Sequence, residues 1–316
     1  MKWFLSLVVA VVATISSQSA NAGLFESILQ NTAATPDGFA TLLQDRDREI
    51  LLTRDNLGNI VIDFDPVAGS VIDENDYLIG AFELESYQPV KADGGTIDPD
   101  IDLPDPSGRN ITGVFVTKVL TKTTGLPGSF NTAYTLGVAE DDVWSALGIG
   151  RVGSGTMITF FENPNGNFVN ESATGTLAPV ADSLQSAHVG DLLFEVGFTG
   201  VGGAADGNEF WESISKGDDT LGVGANDVFF DANLGLTHNA NPGTIIFGMH
   251  DSLSQGAAIA QLTGRVDANA NLSNSLPVNT DTDFFISAQV VPEPTSFAIF
   301  GVMGLAGLGF RRRRSA

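Results

Sequence analysis

Phe284-Phe285-Ile286-Ser287-Ala288-Gln289-Val290-Val291 is the stretch that decides how the middle of this chain folds. Phe284, Ile286, Ala288 and Val290 fall on one parity and Phe285, Ser287 and Gln289 on the other. Alternate residues of an extended chain share a face, so the stretch predicts a half-buried antiparallel strand. Working outward, runs at 60–64, 77–84, 111–120, 133–138, 157–161, 192–198, 228–230, 244–249 and 259–266 are likewise rich in Val, Ile, Phe and Thr. Gly, Asp, Asn and Pro punctuate them, as turn residues punctuate strands.

Between these runs no segment keeps a 3.6-residue period over the roughly 10–15 residues that a βαβ crossover helix needs. The 36 glycines supply corners instead. The pattern predicts an all-β fold, a β-sandwich of jelly-roll or related type. Residues 23–44 read differently, as short helical or irregular pieces, with Leu24, Phe25, Ile28 and Leu29 at helical spacing and Pro36 as a breaker. A further helical turn is predicted at 141–147, with acidic residues at its positive end.

A hydrophobic fraction of 43% and a mean hydropathy of +0.13 place the body among globular chains. Zero cysteines excludes a disulfide framework, a thiolate zinc site and a cysteine nucleophile together. Outside the two ends, 10 basic residues face 37 acidic ones, a net of −27. Such a field repels phosphate backbones, so nucleic acid is excluded as a partner, while cations are attracted and the exported body stays soluble.

The two ends are addresses. Lys2 precedes an apolar run at 4–15, broken only by Ser6 and Thr14, and Ala20 and Ala22 occupy the small-residue cleavage subsites. Twelve residues is below the roughly 18 needed to span a bilayer, so 1–22 reads as a signal peptide cut by signal peptidase after Ala22. At the other end, Pro292-Glu293-Pro294 precedes an apolar run at 297–310 and then Arg311, Arg312, Arg313 and Arg314.

That order, Pro-Glu-Pro, short apolar helix, arginine cluster, chain end, resembles the PEP-CTERM sorting signal. The resemblance covers about the last 25 residues and implies recognition and processing by an exosortase-type enzyme in bacteria that also make exopolysaccharide. Physical chemistry points the same way independently. Four arginines stay cytoplasmic while the signal peptide carries the rest across, which leaves the body outside. Fourteen residues make about 21 Å of helix against a hydrocarbon core of roughly 30 Å, a poor permanent anchor and a suitable transient one. The domain plan is therefore a signal peptide at 1–22, a secreted acidic body at 23–291 and a sorting signal at 292–316 with its transmembrane helix.

Chemistry within the body is sparse. Asp98, Asp100 and Asp102 alternate, so an extended backbone would set three carboxylates side by side, a candidate calcium site. The EF-hand pattern is absent, since its sixth and twelfth positions would be Leu103 and Arg109. Trp144, beside Asp141 and Asp142, and Trp211, between Glu209 and Glu212, each place a flat aromatic among carboxylates, the combination a saccharide requires. Buried core tryptophan is the competing reading of both. Gly148, Gly150 and Gly153 spell a dinucleotide fingerprint, but one that follows a helical turn and leads into a strand, so it reads as a glycine-rich turn. Three readings stay open: a non-enzymatic cell-surface or extracellular-matrix component, a calcium-assisted exopolysaccharide-binding module, and a polysaccharide-active enzyme. The first is the primary reading.

Overall fold

In a computed structural model the alternating stretch is divided, over its described residues 284–290, between two strands. The structure describes residues 23–34, 38–54, 57–61, 72–91, 101–103, 105, 107–126, 130–166, 168–169, 180–216, 226–247, 260–268 and 278–290. In chain order these form α1 (Leu24–Ala34), β1 (Gly38–Arg54), β2 (Ile60–Val61), β3 (Tyr77–Lys91), β4 (Ile101–Asp102), β5 (Asn110–Thr124) and β6 (Phe130–Val138). There follow α2 (Asp141–Ala146), β7 (Thr156–Asn163), α3 (Val180–Ala187), β8 (Asp191–Gly197) and β9 (Phe210–Lys216). The series ends with β10 (Asn226–Asn239), β11 (Ile245–Phe247), β12 (Ala260–Ala268), β13 (Val278–Ile286) and β14 (Ala288–Val290). Phe284, Ile286 and Ala288 are buried as the alternation predicts, while Ser287 is buried too, at the break between β13 and β14.

All the pairings are antiparallel, and they close on themselves. β1 pairs β3, β3 pairs β5, β5 pairs β7, β7 pairs β8, β8 pairs β10, β10 pairs β12, β12 pairs β13, and β13 returns to β1. The all-β expectation holds, but these pairings trace one closed ring in place of the two facing sheets of a jelly-roll sandwich. Closure removes the open edges that a sandwich must protect.

Two positions of the ring are each built from two strands laid end to end. Along β5, β7 pairs at 110–115 and β6 takes over at 117–124. Along β10, β9 pairs at 228–233 and β8 at 235–239. The chain between β6 and β7, carrying α2, and the chain between β8 and β9 are therefore excursions from neighbouring lines of the wall.

Phenylalanine fills the interior. Phe160 stacks on Phe194 at 4.3 Å, and Phe82 and Phe284 pack against Phe160 at 5.2 and 5.4 Å. Gly113 on β5 leaves the volume that the Phe82 ring occupies, because a Cβ there would strike that ring and the Thr159 carbonyl. A second apolar cluster forms on the outer face of β3 and β5, where Tyr77, Ile79, Val114 and Val116 meet Val143 and Trp144 of α2 and Leu184 of α3.

One end of the ring is covered by α1 and the β11–β14 ribbon. Leu24, Phe25, Ile28 and Leu29 bury the helical stripe read from the sequence, and Phe25 reaches Phe194 at 5.1 Å. Glu162, near the end of β7, accepts hydrogen bonds from the Leu24 and Phe25 N–H groups, placing an acidic group at the positive end of the helix.

Candidate functional site

The sorting signal leaves the body from that covered end. β14 is held by β11 through the register Ile245 to Val290 and Phe247 to Ala288, and Ile245 and Ala288 are buried. The Asn239 side-chain amide donates to the Ile245 carbonyl at 2.8 Å, fixing the ribbon to the end of β10. Pro292, Glu293, Pro294, Arg311, Arg312, Arg313 and Arg314 lie outside the described residues, as do Ala20 and Ala22. No helix among the described residues is long and apolar enough to cross a membrane, and 297–310 is not among them.

Of the candidate calcium ligands, Asp98 and Asp100 are outside the described residues, and Asp102 is exposed on β4, opposite Ser86 of β3. The two candidate sugar platforms are corrected by the structure. Trp144, on α2, is 1% exposed against the outer face of β3 and β5, and Trp211 is 6% exposed in the ring interior, 6.4 Å from Phe115. Neither presents a face to a saccharide, because each fills a volume in the apolar packing. The glycine-rich turn is one, following α2 and leading into β7, with Gly148 at φ 73°.

A dense charged cluster among the described residues joins the ring to α2. Arg54 places two nitrogens on Asp142 at 3.0 and 3.1 Å and its Nε on the Tyr77 hydroxyl at 2.8 Å. Tyr77 in turn donates to Glu140 at 2.9 Å, and Lys118 donates to the other Glu140 oxygen at 2.6 Å. Hydrogen bonding to Asp142 and Tyr77 raises the Arg54 pKa, and the Arg54 hydrogen bond lowers that of Asp142. Burial alone would raise Glu140, but hydrogen bonds led by Lys118 bring it below the usual carboxylate range; burial raises Tyr77. The carboxylates are thus held ionised and the phenol protonated near neutral pH. This arrangement is an electrostatic staple for α2, with its proton positions fixed by partners within the fold.

Three further glutamates hold main chain, of which the sequence reading named only Glu209, as a neighbour of Trp211. Glu195 of β8 is fully buried and accepts from Val152 N, Gly153 N and the Thr156 hydroxyl at 2.7–3.1 Å, bracing the excursion that follows β6. Glu209 accepts from Thr199 N and Asp206 N at 2.8 and 2.9 Å, bracing the excursion that follows β8. Glu162 holds the start of α1. The donors lie 39 or more residues away for Glu195 and 137 or more for Glu162, so no local motif announces these two.

Compared with known proteins, residues 290–314 match the PEP-CTERM protein-sorting motif. The match begins at Val290, the last residue of β14. No curated protein matches the chain. A solved structure of a DUF1329 family protein from Desulfovibrio piger is similar at 5% identity, over 85% of this chain and 92% of that one, with a TM-score of 0.10, too low to carry a fold argument.

Proposed function

We propose that this chain, which carries a PEP-CTERM protein-sorting motif, is an exported, non-catalytic component of the cell surface or extracellular matrix. Residues 1–22 direct export and are removed, 297–310 anchors the chain transiently, and an exosortase-type enzyme releases or transfers the body at Pro292-Glu293-Pro294. The motif at 290–314 is the observation that carries the reading. A structural role for the body is supported by how its polar groups are spent: Glu162, Glu195 and Glu209 hold main-chain donors, and the Arg54 cluster holds a helix. Both tryptophans being buried weighs against the exopolysaccharide module in the form the sequence offered.

Processing tests this directly. Replacing Arg311, Arg312, Arg313 and Arg314 by Ser, or Pro292, Glu293 and Pro294 by Ala, is expected to leave a larger, unprocessed form in the membrane fraction of the native host. Normal processing of both variants overturns the sorting claim.

A further inference from the structure

Both chain connections leave the body at the same end of the ring. The covered end gathers the start of β1, the end of β3, the start of β5, the end of β7, the start of β8 and the end of β10, as the antiparallel registers require. Gly23 opens α1 there, beside Glu162. Val290 closes β14 there, and α1 packs against β14.

The connections are short. Seven residues, 16–22, separate Gly23 from the first apolar run, and six, 291–296, separate Val290 from the second. At roughly 3.3–3.6 Å per extended residue, neither reaches beyond about 25 Å. β3 and β5 have 15 residues each, roughly 50 Å of strand at about 3.3 Å per residue. Once residues 1–22 are removed the C-terminal connection alone remains, and at that length it holds the covered end close to the bilayer while the ring extends further than it reaches.

The same end also exposes apolar side chains. Val189, in the turn before β8, is 66% exposed, and Ile246, on β11, is 57% exposed. Val169, after β7, is 37% exposed and has its N–H bonded to the Ser186 hydroxyl of α3. Leu57, Leu120, Val152, Val201 and Ile214 are exposed as well, away from the covered end, so it is the place where the chain leaves, and not apolar exposure, that singles this end out.

We propose that before processing the body stands end-on to the bilayer, with α1, the β11–β14 ribbon, Val169, Val189 and Ile246 facing the lipid surface. The proposal rests on reading 297–310 as a transient anchor. A body charge of −27 is repelled by anionic headgroups, so the short C-terminal connection sets the orientation, and charge attraction does not.

The absence of cysteine makes the test clean. Single variants Val189→Cys and Ile246→Cys at the covered end, and Thr124→Cys at the exposed far end of β5, are labelled with a fluorophore in the exported chain, which begins at Gly23 and keeps residues 291–316. Each is bound to phosphatidylcholine vesicles containing nitroxide lipid. Severalfold stronger quenching at 189 and 246 than at 124 is expected. Equal quenching at all three, as for a body lying flat, or stronger quenching at 124 overturns the orientation. Failure of the protein to float with the vesicles overturns the anchor reading itself, and flotation distinguishes the two failures.

Discussion

At the residue scale, the acidity of the body is partly structural. Glu195 illustrates it: a fully buried carboxyl group receives three donors from one glycine-rich excursion, and burial without them would be costly. Glu195→Ala is expected to destabilise the body by about 1–3 kcal/mol, the cost of leaving buried donors unpaired. That lowers the melting temperature by several degrees, measurable by calorimetry; an unchanged melt would refute the clamp. Asp105 gives the pH counterpart. Burial alone would raise its pKa, but hydrogen bonds from Ser107 and Arg109 bring it to about 2. A group depressed in the folded state contributes stability above its unfolded value, near 4, and loses it as pH falls toward 2. Asp105→Asn should therefore narrow the stability difference between pH 5 and pH 2 relative to the parent chain, as denaturant titrations at the two pH values would show.

At the scale of elements, Gly113→Ala is expected to cost about 1–3 kcal/mol by overpacking, since Phe82 and the Thr159 carbonyl occupy the space a Cβ needs. A denaturation midpoint equal to the parent's would contradict this packing. Strands such as β3, β5 and β7 were legible because their apolar residues recur among turn residues. β1 was not: Asp45-Arg46-Asp47-Arg48-Glu49 carries no hydrophobic alternation, and the helical reading of 23–44 ran past its start. The register supplies the missing logic, aligning Arg46 with Glu83 of β3 and with Asp281 of β13, whose other neighbour is Arg265 of β12. Pairing on both edges makes a strand where propensity alone does not. β9 and α3 were missed for a related reason. Phe210–Lys216 is short and has only Ile214 as an apolar residue beyond its first two, and Val180–Ala187 spans only about two turns, so its stripe of Val180, Leu184 and Ala187 is too short to stand out.

For the whole molecule, the two kinds of information in the sequence behave differently. The sorting signal is linear, so Pro292-Glu293-Pro294 and the arginine cluster could be read directly and the family match at 290–314 agrees. Ring closure is not linear. It depends on β13 meeting β1 across more than two hundred residues, and alternation within a strand says which face is buried without saying which neighbour it finds. Trp144 and Trp211 failed as sugar platforms for the same reason: neighbouring carboxylates in sequence do not place an indole at the surface. The central claim is that export and C-terminal processing deliver this ring as a surface component. Its most direct test is the intact mass of the mature protein from its native host. The account predicts a chain that begins at Gly23 and has lost Arg311, Arg312, Arg313 and Arg314; a mature, surface-located chain that retains those arginines contradicts it.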